Sequence, residues 1–278
     1  MIHSLSDQHT LNNGVTMPGF GLGVWRVPEG DSVRHSVAWA IEAGYRLIDT
    51  AAIYGNERGV GEAIRDSGIA RGDLFLTTKV WNADQGYDKT LEAFETSLNK
   101  LGVDYVDLYL IHWPVAGKYK DTWRALERLQ REGRTRAIGV CNFHPHHLED
   151  LLADAEAVPA VDQVELHPLL TQVPLRHFCA KNGIAVEAYS PLGSGDSGLL
   201  THPQLIAIAE KYGKSTAQII LRWNLEHDII TIPRSTKQAH IADNAAVFDF
   251  ELSAEDIGMI DALNADRRFG ADPDNFDF

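Results

Sequence analysis

Cysteine is almost missing from this chain, which holds only Cys141 and Cys179 in 278 residues. One disulfide is conceivable, but a chain of this length buries enough apolar surface without it, so both are expected as reduced thiols. Positive charge is scarce too: 25 Lys and Arg stand against 39 Asp and Glu, a formal net charge of -14. Such a surface repels phosphate backbones and argues against general nucleic-acid binding, though it leaves room for one local basic pocket. No run approaches the ~18 consecutive apolar residues of a membrane span. The opening residues, MIHSLSDQHT, lack the charged stretch followed by an apolar one that marks a secretory signal. No Pro-, Gly- or Ser-rich linker divides the chain, and the run GSGDSG (193–198) is too short to be one. The expectation is a soluble cytoplasmic protein, one domain over residues 1–278, and monomeric because nothing in the pattern demands an oligomer.

What is present is a regular alternation. Asn13-Gly14 between short apolar stretches signals an N-terminal hairpin, since both residues tolerate positive φ. Eight short apolar runs follow as candidate strands: FGLGVW (20–25), RLIDTA (46–51), LFLTTKV (74–80), VDLYLIH (106–112), AIGVCN (137–142), VDQVEL (161–166), IAVEAYS (184–190) and IITIPR (229–234). Between them, Leu91, Phe94, Leu98 and Leu101 recur at the three-and-four spacing of one helix face, as do Trp123, Leu126 and Leu129. Gly44, Gly68, Gly102, Gly133, Gly183 and Gly213 each close such a stretch, where a left-handed cap suits glycine. Strand, helix and glycine repeat about every 30 residues, which argues for parallel βαβ units and a (β/α)8 TIM barrel, class α/β. An open Rossmann sheet should carry G-x-G-x-x-G after its first strand. Gly19, Gly21 and Gly23 make no such motif. The final segment, DRRFGADPDNFDF, reads as an irregular acidic tail whose Phe269, Phe276 and Phe278 either fold over the barrel mouth or fray.

Strand alternation puts residues two apart on one face. Leu47 and Asp49, then Phe75, Thr77 and Lys79, then Leu108, Leu110 and His112 each end a strand on an ionisable group, at the end where barrel active sites form. Tyr54 follows Asp49 in the next loop. Each residue has an ordinary alternative. The Asp suits a turn or cap, the Lys and Tyr suit stems packed with wet tips, and the His suits a satisfied core position. Their joint placement favours a site, and spacing alone names no reaction.

The runs GYRLIDTAAIYGNE (44–57), LFLTTKVW (74–81), VDLYLIHWP (106–114), AIGVCNF (137–143), VDQVELHP (161–168) and IPRST (232–236) resemble those of aldo-keto reductases. The likeness covers practically the whole chain and is closest in appearance to bacterial 2,5-diketo-D-gluconic acid reductases. It implies NADP(H)-dependent reduction of small aldehydes, ketones or dicarbonyls, keto-sugar acids among them, with Tyr54 as proton donor. A free phenol is a reluctant acid, with a pKa near ~10. A nearby ammonium lowers that value, and Lys79 can supply it while paired with Asp49. His112 can donate to the substrate oxygen. Trp25, Trp81 and Trp113 stand where family aromatics line the substrate pocket; their alternative is ordinary packing.

The same resemblance places Gly23, Val24, Trp25 and Asp49 at the cofactor, stacks Tyr189 on the nicotinamide, and sets Asn142 and Gln163 on its carboxamide. Cys141 stands where Ser is commoner. Ser190, Pro191, Leu192 and Gly193 match the loop passing the pyrophosphate. At the 2′-phosphate end, Arg234, Ser235, Thr236, Lys237 and His240 correspond to a pattern richer in Arg, with Asp243 and Asn244 on the adenine side. Arg234 and Lys237 can still bind a phosphate dianion, so NADP(H) is expected, with NAD(H) as a weaker alternative. His144-Pro145-His146-His147 invites a metal reading, but no further ligands are evident and a helix start explains the run, so no metal is expected. The short loop Val115 to Lys120 hints at an open mouth. Two other functions fit the polar cluster: a Schiff-base barrel aldolase using Lys79, and a non-catalytic nucleotide-sensing subunit.

Overall fold

A computed structural model describes residues 2–194 and 197–278; Met1 and the centre of the GSGDSG run, Gly195 and Asp196, lie outside the described residues. Strands β1 (Gln8–Thr10) and β2 (Thr16–Pro18) form the expected antiparallel hairpin. Its loop differs from a two-residue turn. Gly14 takes φ +84 while Asn13 does not enter the left-handed region, and Gly14 N donates to Leu11 O while Leu11 N donates to Val15 O. This is a wider loop in which one positive-φ residue suffices.

The eight remaining strands are β3 (Leu22–Gly23), β4 (Leu47–Asp49), β5 (Phe75–Val80), β6 (Val106–Ile111), β7 (Thr135–Cys141), β8 (Val161–Glu165), β9 (Ala185–Tyr189) and β10 (Ile230–Thr231). They pair in sequence order and in parallel. The sheet curls until its ends meet. Phe20 bridges Thr231 in parallel, Gly21 N donates to Thr231 O, and Thr231 N donates to Gly19 O. Closure leaves no long edge strand exposed for pairing with another chain. All eight predicted strands are present, but the first shrinks to two residues, so Trp25 sits in a turn closed by Val27 N to Val24 O.

Helices Tyr87–Leu101 and Tyr119–Arg131 occupy the predicted stretches and bury Phe94, Leu98 and Leu101, and Trp123, Leu126 and Leu129. All six predicted glycines take positive φ, between 63° and 97°. Gly61 answers a different demand. A Cβ there would lie 1.9 Å from Leu101 O, so helix Glu57–Asp66 can approach the end of its neighbour only without a side chain.

The core divides into two layers. Ile48, Leu76, Tyr109, Ile111 and Val140 face outward into the helices. Leu47, Phe75, Leu108, Leu110, Ala137 and Ile230 face inward and fill the barrel, with Leu11 and Met17 of the hairpin plugging the end where the strands begin. The polar strand ends therefore lie at the opposite, open end, as barrel geometry requires. No described helix is long and apolar enough to cross a membrane.

The tail folds back. Glu165 at the end of β8 accepts from Phe269 N at 2.7 Å and Gly270 N at 2.8 Å. Phe276 and Phe278 then pack on Trp113, with ring centroids at 5.0 and 5.1 Å, and Phe278 stacks on Trp81.

Candidate active site

Four side chains meet at the open end. Lys79 is fully buried, and its ammonium reaches Asp49 Oδ1 at 2.7 Å, Asp49 Oδ2 at 2.8 Å, Thr50 O at 3.0 Å and the Tyr54 hydroxyl at 3.4 Å. Asp49 ends β4, Lys79 lies on β5, and Tyr54 ends a short 3-10 turn, Ala52–Tyr54, that follows β4. His112 follows β6 and meets the Tyr54 ring edge-on at 5.7 Å. The predicted quartet is brought together.

Burial lowers the proton affinity of Lys79, but the Asp49 carboxylate, with Tyr54 and Cys141, outweighs it and holds the ammonium above its ordinary pKa. Burial raises the Asp49 carboxyl, and Lys79 pulls it back only in part. Held as an ammonium bonded to Asp49, the Thr50 carbonyl and the Tyr54 hydroxyl, Lys79 has no free amine lone pair for a Schiff base.

The expectation for Tyr54 is reversed. Lys79 does favour the tyrosinate, but burial is larger and raises the phenol above its ordinary pKa. Asp49 neutralises the ammonium that was to lower it. The phenol thus keeps its proton across neutral pH and can give one away but does not lose it unprompted. Burial, then Lys79, pushes His112 well below its usual pKa, so the ring is neutral. Its Nδ1 is sealed without a partner, which leaves Nε2 to serve a ligand.

Asp49, Tyr54 and His112 floor a cavity of about 720 Å³, while Lys79 lies buried outside its lining. Trp25, Trp81, Trp113 and Phe278 wall one side. Gly23, Cys141, Asn142, Gln163, Tyr189, the 190–193 loop and Arg234, which the resemblance assigned to a cofactor, also line the cavity. Val24 is a correction: its side chain is wholly buried in the core, and its N–H and C=O are bonded to Asp49 O and Asn56 Nδ2. Beyond Arg234, the residues Ser235, Thr236, Lys237, His240, Asp243 and Asn244 lie outside the cavity lining, Lys237 at the N-cap of helix Gln238–Ala245, His240 in its first turn and Asp243 and Asn244 in its last. Sequence reasoning weighed only the side chains there. The free N–H groups of that helix start add a second attraction for an anion.

Three lining residues carry backbone strain. Arg26 (φ 57), Asn142 (φ 64) and Ser190 (φ 46) take left-handed conformations that non-glycine residues seldom adopt, and all three line the cavity. Asn142 is fixed further, donating to His112 O at 3.0 Å and accepting from the Tyr189 hydroxyl at 2.7 Å. Cys141 Sγ contacts Asn142 Nδ2 at 3.2 Å, the place where a hydroxyl was expected in the family pattern.

Sequence reasoning missed Arg26, Ile53 and Glu165 at the cavity. Only Arg26 left a sign, as a bulky residue inside a turn, where it takes φ 57. The histidine run starts helix Pro145–Leu152, with His144 at the N-cap. Burial pushes His147 down to about 4, and its Nδ1 accepts from His144 N at 3.1 Å. That bond puts the ring proton on Nε2, which faces Asp274 of the tail at 3.4 Å beside His146 Nε2 at 2.9 Å. The run therefore caps a helix and latches the tail.

The model of the aldo/keto reductase family matches residues 19–265. The chain is 61% identical over 282 residues to a Bacillus subtilis (strain 168) protein named "Uncharacterized oxidoreductase YtbE", covering 100% of both. It is 59% identical over 275 residues to a glyoxal reductase of the same organism, covering 99% of each. Among solved structures, an aldo-keto reductase of Bombyx mori in complex with NADP matches with a TM-score of 0.92 at 38% identity, covering 99% of this chain and 97% of that one.

Proposed function

The chain belongs to the aldo/keto reductase family, and on that premise we propose that it reduces small dicarbonyls and aldehydes to alcohols with NADPH. The observation that carries this reading is a phenol held protonated beside a charge-neutralised lysine, at the floor of an aromatic-walled cavity. Glyoxal and methylglyoxal are the first substrates to try, given the glyoxal reductase among the relatives. Keto-sugar acids such as 2,5-diketo-D-gluconate form a second class, on the sequence resemblance alone.

The residues fit a nicotinamide dinucleotide. Gln163 lines the cavity, and its oxygen meets the Cys141 thiol at 3.8 Å, leaving an acceptor suited to a carboxamide N–H. Arg234, Lys237 and the start of helix Gln238–Ala245 suit the phosphate of NADP(H). When bound, NADPH supplies the hydride. In this reading Tyr54 gives its proton to the carbonyl oxygen, and His112 Nε2 holds that oxygen in place while charge builds on it. Lys79 and Asp49 fix the Tyr54 hydroxyl and leave no net charge behind it. The tryptophan wall and Phe278 give the reacting carbonyl an apolar surround.

Oxidation of NADPH should follow addition of glyoxal, methylglyoxal or a keto-sugar acid, and be slower with NADH. No oxidation with any carbonyl of a broad panel, despite tight NADPH binding, would favour a sensing subunit. Removing the phosphate grip by Arg234→Ala with Lys237→Ala should raise the Kd for NADPH about 10- to 100-fold, as for lost charge-assisted bonds. The Kd for NADH should hardly change, and an equal loss for both would place the 2′-phosphate elsewhere. Phe278→Ala should raise KM for an aromatic aldehyde about five- to tenfold, the scale of a lost aromatic contact. Glyoxal has no ring to pack on Phe278, so its KM should change less; a matching rise would make the tail a structural support.

A further inference from the structure

Gln163 is the cofactor-side residue whose orientation matters most, because an amide can present either its oxygen or its nitrogen. Its Nε2 carries two hydrogens, and both are directed at carboxyl oxygens: Asp49 Oδ2 at 2.8 Å and Glu187 Oε2 at 2.7 Å. Glu187 lies directly across the sheet, since Gln163 of β8 and Glu187 of β9 are register partners. It is fully buried, its other oxygen has no partner, and it takes no part in the chemistry proposed above. Asp49 alone would occupy one hydrogen of Gln163 and leave the side chain free to swing about that bond. Glu187 supplies the second anchor.

We propose that Glu187 is a positioning residue for the cofactor. Its carboxyl group locks Gln163 in the one amide orientation that turns Oε1 into the cavity, ready to accept from the nicotinamide carboxamide. This rests on the nicotinamide reading given above. Burial first, then the charge of Asp49, pushes Glu187 up to about 8. Near neutral pH it is therefore mostly the uncharged acid, and Glu187→Gln reproduces both its charge and its acceptor. Glu187→Met keeps the length and removes the acceptor.

The test measures binding, without turnover. Wild-type protein and both variants are titrated with NADP and with its 3-acetylpyridine analogue, whose acetyl group has no N–H to donate. Wild type should favour the carboxamide form about three- to tenfold, the range for one hydrogen bond. Glu187→Met should lose that preference by weakening on NADP alone, and Glu187→Gln should keep it. A preference unchanged in Glu187→Met overturns the proposal. So does a wild type that binds both dinucleotides equally well, whereas a wild type that binds neither sinks the nicotinamide reading as well. Should the Met variant not fold, amide exchange in the wild type decides. Both Nε2 hydrogens of Gln163 should exchange slowly, and one exchanging at the free rate overturns the proposal.

Discussion

Replacing Tyr54 by Phe is expected to lower kcat/KM for glyoxal about a hundred- to ten-thousand-fold, the range spanned by a single proton-transfer group. The change removes one oxygen and leaves the ring, its edge-on contact with His112 and the wall of the cavity in place. NADPH affinity should therefore hold, so that the loss falls on kcat. His112 is not expected to substitute as the acid, because burial keeps its ring neutral and, in the proposed reading, its one proton holds the substrate oxygen. The pH profile adds a sign. Burial raises the phenol above its ordinary pKa, so the protonated form that reduction requires persists through neutral and mildly alkaline pH. Wild-type reduction should thus show no loss in that range from Tyr54, and the reverse oxidation, which needs the tyrosinate, should rise with pH. A Phe variant that retains full reduction in single-turnover measurements would remove Tyr54 from the chemistry.

The second large effect is on stability. Lys79→Met leaves the Asp49 carboxylate buried without its counter-charge, and should cost about 3–5 kcal/mol in chemical denaturation. Both partners lie inside the barrel, at 0% and 3% side-chain exposure, so water cannot take over the lost contact. Adding Asp49→Asn to Lys79→Met removes the stranded charge while keeping an acceptor for Gln163, and should recover most of the loss. Activity should not return with it. Stability that stays low in the double variant would show that Lys79 supports the fold by packing its long stem and not through its charge.

Much of this site was legible because strands have a period of two. Leu47 and Asp49, Phe75 and Lys79, Leu108 and His112 alternate in the sequence, and the barrel interior receives the apolar member and the ionisable one in turn. The glycines that end helices were equally plain, since each sits where the backbone must turn left-handed. What escaped reading depends on how distant segments are packed. The Tyr54 pKa is set by desolvation, to which every neighbouring strand contributes, and no local spacing reports it. Val24 was placed at the cofactor by pattern, yet its strand ends a residue before it and the side chain turns into the core. The tail has neither helical nor strand period. Its course is fixed by Glu165, His146 and His147, more than a hundred residues earlier in the chain.

That tail divides the labour of the molecule. The proposed reacting groups sit in and just after the strand ends of a closed barrel, where a change of one residue disturbs the fold. The roof over the cavity is a separate strip of chain, tied down at Glu165 and at the histidine run, with Phe276 and Phe278 as its contacts with the aromatic wall. Selectivity can therefore drift, or be redesigned, by rewriting those last dozen residues while the chemistry beneath stays as it is. A family of such barrels with different roofs would share one reaction and differ in what they admit to it.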